Sequence, residues 1–141
     1  MAKIRLMTSH DLELIIKIQT CFFNSGKFYS FNTLTEMLAN KDMQLLVLTD
    51  GEEIIGYAIC YLLVDHVDLL QIAIDRKFQK RGHGKELLNE IEKFKKDIFV
   101  EVNEENQNAI GFYEHVGFKK QSILKQYYGG CDAFLLKKEI Q

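Results

Sequence analysis

The chain reads as an α/β protein of mixed type, a mixed sheet with helices on both faces, and three observations predict it. Asp50-Gly51 separates two strand-like apolar runs and signals an antiparallel hairpin, because Asp-Gly supplies the positive φ values that such turns require. Residues 67–74 are nearly continuous in apolar side chains, as expected of a strand buried on both faces in the middle of a sheet. Strands alternate with helical patterns only in the middle of the chain, so the sheet is not that of a regular doubly wound fold.

The elements follow in order. Residues 4–7 form a short strand, and Thr8-Ser9-His10-Asp11 offers an N-cap ahead of Leu12, Ile15, Ile16 and Ile18 at helical spacing, giving a first helix to about Phe23. Asn24-Ser25-Gly26 breaks it, and after Tyr29-Ser30 a second short helix carries Leu34, Met37 and Leu38. Residues 44–49 and 53–64 are the hairpin strands, and 67–74 is the central strand. From Gly82 a third helix places Leu87, Leu88, Ile91 and Phe94 in one apolar stripe, with Lys85, Glu86, Glu90, Lys93 and Lys96 outside it. Residues 98–102 are a fifth strand. Asn106 opens a fourth helix with Ala109, Ile110, Tyr113 and Val116 inward and Gly117 as its stop. Residues 119–128 and 133–138 close the chain as a strand pair joined through Gly129-Gly130. The order is β-α-α-β-β-β-α-β-α-β-β, without repeats or low-complexity tracts.

Composition narrows the function. A chain of 141 residues with 47% hydrophobic and 27% charged residues is expected to be one globular domain with a buried core. A net charge of −2 leaves no general nucleic-acid footprint. Cys21, Cys60 and Cys131 are odd in number and lack metal-ligand spacing, which argues against a disulfide framework and a metal site and for a reducing cytoplasm. With no signal-like or membrane-length apolar run, the expectation is a soluble, unanchored protein.

The segment Gln79-Lys80-Arg81-Gly82-His83-Gly84 lies between the central strand and a helix start, an arrangement that cradles anions. The first N–H groups of a helix have no partner within it, and its dipole places partial positive charge there. Two phosphate motifs are excluded by residue type. The dinucleotide fingerprint has Leu87 at its third glycine, and the nucleoside-triphosphate loop has Glu86 where Ser or Thr should hold magnesium and Gln79 at its first glycine.

Gln79-x-x-Gly82-x-Gly84 resembles the acetyl-CoA pyrophosphate loop of the GNAT N-acetyltransferase superfamily, and its context extends the likeness. Gln71-Ile72-Ala73-Ile74-Asp75 precedes it and Leu87-Leu88 follows. The stretch from Val100-Glu101-Val102-Asn103 through Asn106 and Gly111-Phe112-Tyr113 to Gly117-Phe118 is similar to the C-terminal segment of the RimI-type subgroup, which acetylates the N-terminal alanine of a small-subunit ribosomal protein. The resemblance covers nearly the whole chain. It implies the GNAT fold, a central, mostly antiparallel seven-stranded sheet, and acetyl-CoA as cosubstrate without a metal.

Residue by residue, the resemblance implies that Ile72, Ala73 and Ile74 present main-chain groups to the pantetheine arm, an N–H near Ile74 stabilising charge on the thioester oxygen. Lys80, Arg81, Gly82, His83, Gly84 and Lys85 would hold the pyrophosphate, and Asn106 would both cap its helix and contact acetyl-CoA. Glu101 would be the general base, through a water, and Tyr113 the general acid for the thiolate. Glu101 ends the strand beside the central one and Tyr113 lies two turns into the next helix, so both can face the same gap. Phe28, Tyr29, Tyr127 and Tyr128 would line the acceptor groove. Two departures fall there: Gln126-Tyr127-Tyr128 passes through a short Gly129-Gly130-Cys131 turn, and Lys27-Phe28-Tyr29-Ser30 lacks a proline-tryptophan pair common in the subgroup. The acceptor implied is a protein N-terminus such as a ribosomal protein's. The alternatives are a small-molecule amine, a protein lysine, or a CoA-binding module without turnover. Cys131 reads as structural, and His10, His66 and His115 as surface residues.

Overall fold

The computed structural model describes residues 2–23, 27–128 and 130–140, apart from the side chains of residues 127–128. Its strands are β1 (Ala2–Leu6), β2 (Met43–Asp50), β3 (Glu53–Leu62), β4 (His66–Ile74), β5 (Asp97–Asn103), β6 (Lys119–Tyr128) and β7 (Cys131–Lys138). Its helices are α1 (Leu12–Phe22), α2 (Phe31–Ala39), α3 (His83–Glu92) and α4 (Gln107–His115), with single 3-10 turns at Ser9–Asp11 and Arg76–Phe78. The seven strands form one sheet in the order β1-β2-β3-β4-β5-β7-β6. β4 is therefore central, as its apolar run predicts. Only β4 and β5 are parallel; every other neighbouring pair is antiparallel.

Local chemistry sets the element ends. Ser30 accepts the Thr33 N–H at 3.1 Å to start α2, and Asn106 accepts the Ala109 N–H at 3.1 Å to start α4. Gly117, at φ 107°, stops the segment after α4. At the first helix the Asp11 carboxylate accepts from the Thr8 N–H at 2.7 Å and takes both guanidinium nitrogens of Arg5, at 2.8 and 3.0 Å.

Several expected boundaries move, each for a physical reason. Asp50 stays in β2, paired with Glu53, so the hairpin loop is Gly51-Glu52 and only Gly51 takes positive φ, at 65°. β3 stops at Leu62 and not at Val64, because the Leu63 N–H donates to the His66 carbonyl at 2.9 Å and turns the chain. α3 ends at Glu92, short of Lys96, where Lys95 enters the left-handed region at φ 60° without a glycine. The expected break at Asn24-Ser25-Gly26, and Gly129 of the closing turn, lie outside the described residues.

The sheet is covered on both sides. Helices α1 and α2 enclose Leu12, Ile15, Ile18 and Leu34 against Val47, Tyr57 and Ile59. On the opposite face α3 and α4 enclose Leu87, Leu88, Ile91, Ile110 and Tyr113 against Ala58, Cys60, Val67, Leu69, Val100 and Val102. Burying such side chains contributes about 1.5–3 kcal/mol each, and this burial holds the two helical layers to the sheet.

Candidate active site

The sheet opens in its middle. β4 and β5 pair only from His66 with Asp97 to Leu69 with Val100, while β5 stays paired to β7 as far as Asn103 and β4 to β3 as far as Ile74. The divergence starts beside a β-bulge. Ile59 lies opposite Gln71 and Cys60 opposite Leu69, so Leu70 is an extra residue in β4. Past the bulge the strand alternates. The Asp75 N–H bonds to the Ile55 carbonyl, so Ala73 and Gln71 also spend their main-chain groups on β3, and those of Ile72 and Ile74 turn to the opening. Of the three residues expected to meet a pantetheine arm, two therefore face the gap with their backbone, and Ala73 serves the sheet. Half of the near-continuous apolar run is fully buried; the alternate positions, Ile72 and Ile74 among them, are half-buried.

At the end of the gap lies the anion cradle. The Gln79 amide donates to the Ile74 carbonyl at 3.0 Å and ties the turn to the strand end. Lys80 and Gly82 both take positive φ, 64° and 84°. Gly82 heads α3 without any side-chain cap, and the first intrahelical bond is from Glu86 to the Gly82 carbonyl, so the N–H groups of His83, Gly84 and Lys85 have no acceptor within the helix. Lys80, Arg81 and Lys85 are exposed around this turn, Arg81 lying over the Phe78 ring. His83 is held by Glu86 at 2.7 Å. Gly84 has a packing reason as well as a ligand one: a Cβ there would lie 2.8 Å from Cζ of Phe112 on α4.

The two expected proton carriers flank the opening from opposite faces of the sheet. Val100 and Val102 point into the α3–α4 core with Tyr113, so by alternation Glu101 points to the α1–α2 side, half-buried. Its charge is felt there by Lys27, whose ammonium is held below its ordinary value chiefly by burial, with Glu101 opposing that shift. Tyr113 is buried between Phe112 and Phe118, with ring centroids at 5.4 and 5.3 Å. Burial first, and then the neighbouring Cys60, push its phenol well above the usual range, and no hydrogen-bond partner for the hydroxyl occurs among the described residues. A buried hydroxyl without a partner in the protein costs about 1–3 kcal/mol.

The α1–α2 side carries a group of residues not singled out from the sequence. Gln71, 2% exposed, accepts the Tyr57 hydroxyl at 2.8 Å and donates to Oε1 of Gln19 at 2.9 Å and to the Lys27 carbonyl. Gln19, fully buried, accepts the Tyr29 N–H at 2.6 Å and donates to the Tyr29 carbonyl at 3.0 Å. The signal was present: each glutamine interrupts an apolar run, Gln71 in β4 and Gln19 on the inward stripe of α1. Phe28 and Tyr29 are half-buried on this side; the Tyr127 and Tyr128 side chains lie outside the described residues. Asn106 caps α4 from an exposed position. Cys131 donates its thiol to Glu105 at 2.8 Å, a contact that raises its pKa first of all, so it is a tie between the closing hairpin and the β5–α4 turn and not an activated nucleophile. No group of metal-ligating side chains occurs among the described residues.

A parted strand pair with main-chain groups of Ile72 and Ile74 turned to the opening, an uncapped helix start at its end, and a carboxylate and a phenol on opposite faces suit an extended, anion-tipped ligand. The chain belongs to the acetyltransferase (GNAT) family, whose model matches residues 12–118. It is 35% identical over 105 residues to the ribosomal protein bS18-alanine N-acetyltransferase of Haemophilus influenzae, covering 71% of this chain and 70% of that one. A Mycobacterium leprae protein, Uncharacterized protein ML0378, is 27% identical over 143 residues, taking in 96% of this chain but only 40% of its own length. The crystal structure of the ribosomal-protein-S18-alanine N-acetyltransferase from Escherichia coli superposes with a TM-score of 0.85 at 27% identity, covering 100% of this chain and 95% of that one.

Proposed function

We propose that the protein transfers the acetyl group of acetyl-CoA to a primary amine by direct attack, and that the acceptor is the α-amine of a protein N-terminus, in the cytoplasm, on a ribosomal protein as in the named relatives. One observation carries the reading above the others: β4 parts from β5 one residue before Glu101, and on the opposite face Tyr113 packs with Val100 and Val102 as a buried phenol without a hydrogen-bond partner among the described residues.

The residues present suit acetyl-CoA, which supplies an activated acyl group and a thiolate leaving group. Ile72 and Ile74 hold the extended arm through their main chains, and the Ile74 N–H is available to charge developing on the carbonyl oxygen. The N–H groups of His83, Gly84 and Lys85 take phosphate oxygens, with Lys80, Arg81 and Lys85 adding charge and Asn106 a further contact. Glu101 receives the proton of the acceptor ammonium through a water. Tyr113, kept protonated by burial, gives its proton to the departing sulfur. Phe28 and Tyr29 line the acceptor groove in this reading. An α-amine has a pKa of about 7.7–8.0 and a lysine about 10.4, so the N-terminal acceptor asks far less of a single, water-mediated carboxylate.

A substrate panel tests this directly. Peptides beginning Ala-Arg are expected to be acetylated in preference to internal-lysine peptides, polyamines and aminoglycosides. Preference for a polyamine or aminoglycoside would replace the acceptor class. Acetyl-CoA binding without transfer to any member of the panel would leave a binding module.

A further inference from the structure

The donor cleft and the acceptor segment are joined by side chains that take no part in the chemistry above. We infer that Gln71 and Gln19 are positioning residues: a buried amide bridge that fixes the segment of Lys27, Phe28 and Tyr29 over the gap and thereby sets affinity for the acceptor. The inference rests on the proposal that this segment meets the acceptor.

Gln71 is the first β4 residue past the bulge, the place where β4 leaves β5. The extra residue Leu70 reverses the alternation, so Leu69 packs into the α3–α4 core while Leu70 and Gln71 both serve the α1–α2 side. From there the Gln71 amide nitrogen uses both hydrogens, one on Gln19 Oε1 and one on the Lys27 carbonyl, and its oxygen accepts from Tyr57. Gln19 Oε1 accepts twice, from Gln71 and from the Tyr29 N–H, and its nitrogen donates to the Tyr29 carbonyl. The Gln19 amide thus binds both main-chain groups of Tyr29 as a neighbouring strand would.

Energetics favour a device over a filler. Two primary amides with 0% and 2% exposure are tolerated only because nearly every donor and acceptor is used, and aliphatic side chains of similar size would suit the surrounding core at least as well. What the amides add is direction. A leucine at either position fills the volume, but it cannot hold the Lys27 carbonyl or the Tyr29 main chain. The bridge runs from a residue whose own backbone is paired into the sheet to a segment outside it, so it transmits the position of the donor strand to the acceptor side.

The test uses the full chain with Gln71→Leu, Gln19→Leu, the double variant and the milder Tyr57→Phe. Hydrogen exchange over residues 27–31 is read without any acceptor, and acetyl-CoA affinity by calorimetry. Acceptor KM and kcat are measured with a peptide beginning Ala-Arg. Each leucine variant removes three of these bonds while filling the volume, and the net loss of even one corresponds to about a tenfold change, so each is expected to raise acceptor KM by about tenfold or more while kcat stays within about threefold and the acetyl-CoA Kd within about twofold. Exchange over residues 27–31 should quicken in both single variants and most in the double variant, because Gln71 holds the Lys27 carbonyl and Gln19 the Tyr29 main chain, but the two losses should combine to less than their product, because the Gln71–Gln19 bond is common to both. Tyr57→Phe, which leaves both amides in place, should shift KM by about twofold to threefold. Unchanged exchange, an unchanged acceptor KM, a parallel loss of acetyl-CoA affinity, or losses that multiply in the double variant would each overturn the bridge. A wild-type protein that ignores the peptide overturns the acceptor class and not the bridge, which is then read on exchange and on the KM of whichever amine is accepted.

Discussion

Around the parted strands the two faces of the sheet are built to different rules. On the α3–α4 face, Leu87, Leu88, Ile91, Ile110 and the valines of β5 surround two polar atoms without a hydrogen-bond partner among the described residues, the Cys60 thiol, pushed up to about 12 by burial, and the Tyr113 hydroxyl. On the α1–α2 face Gln19, Gln71 and Tyr57 are as deeply buried but almost fully hydrogen-bonded, and Asp11 is tied by Arg5 and Thr8. An unpaired buried group awaits a partner from outside, whereas a satisfied network holds what is already there. In the proposed reading the α3–α4 face is the donor side, with its phenol available to a ligand, and the α1–α2 face is the acceptor side, held in place beforehand.

Four measurements break or sharpen that contrast. Tyr113→Phe is expected to lower kcat by about 10²–10⁴-fold, the range for a lost general acid, with a Tm equal to or above wild type, because it also removes an unpaired buried hydroxyl. A drop in Tm alongside a modest loss of rate would make the phenol structural. Glu101→Gln should cost about 10²-fold in kcat at pH 7, and the deficit should shrink as pH rises past the pKa of an α-amine, about 8, since the acceptor then arrives already neutral. A deficit that does not change with pH would assign Glu101 to binding.

On the cradle, Gly84→Ala places a methyl 2.8 Å from the Phe112 ring and is expected to cost about 1 kcal/mol by denaturant titration, with most of it recovered in the Gly84→Ala, Phe112→Leu double variant. The smallest effect belongs to Asp11. Hydrogen bonds from Arg5 first, and then the Thr8 N–H, hold its carboxyl below the ordinary range against the cost of burial. Its contribution is therefore complete above a pH of about 4, the unfolded value, and is lost as pH falls through the lowered folded value. Asp11→Asn should destabilise by about 1 kcal/mol at pH 7, and by less in acid, if the α1 end of the acceptor side rests on this charge.

Much of this was legible beforehand, and the failures have physical causes. The run at 67–74 identified the central strand, Ser30 and Asn106 advertised helix starts, and Gly82-x-Gly84 marked the cradle, because each depends on a local property of one or two residue types. The end of α3 was not legible, since Lys95 takes up a conformation that side chains disfavour and only context enforces it. Nor was the amide bridge, which joins residues 52 positions apart. Sequence spacing allowed Glu101 and Tyr113 to face one gap but could not assign them to opposite faces, because that depends on which residues of β5 meet the core.

Leu70 gives the molecule a second phase. In an uninterrupted strand the sides alternate without memory, and Gln71 would share the side of Val67 and Leu69 among aliphatic neighbours, while Ile72 and Ile74 would change places with Ala73. One inserted residue shifts the frame once, and everything downstream is read in the new frame: amide toward the acceptor helices, isoleucines toward the donor core. Absorbing Leu70 into a regular ladder would exchange the insides and outsides downstream of it, whereas deleting it would set Gln71 directly after Leu69, opposite Ile59, and leave every side unchanged. The cleft therefore has a parity, and it is kept by the bulge that sets Leu70 aside.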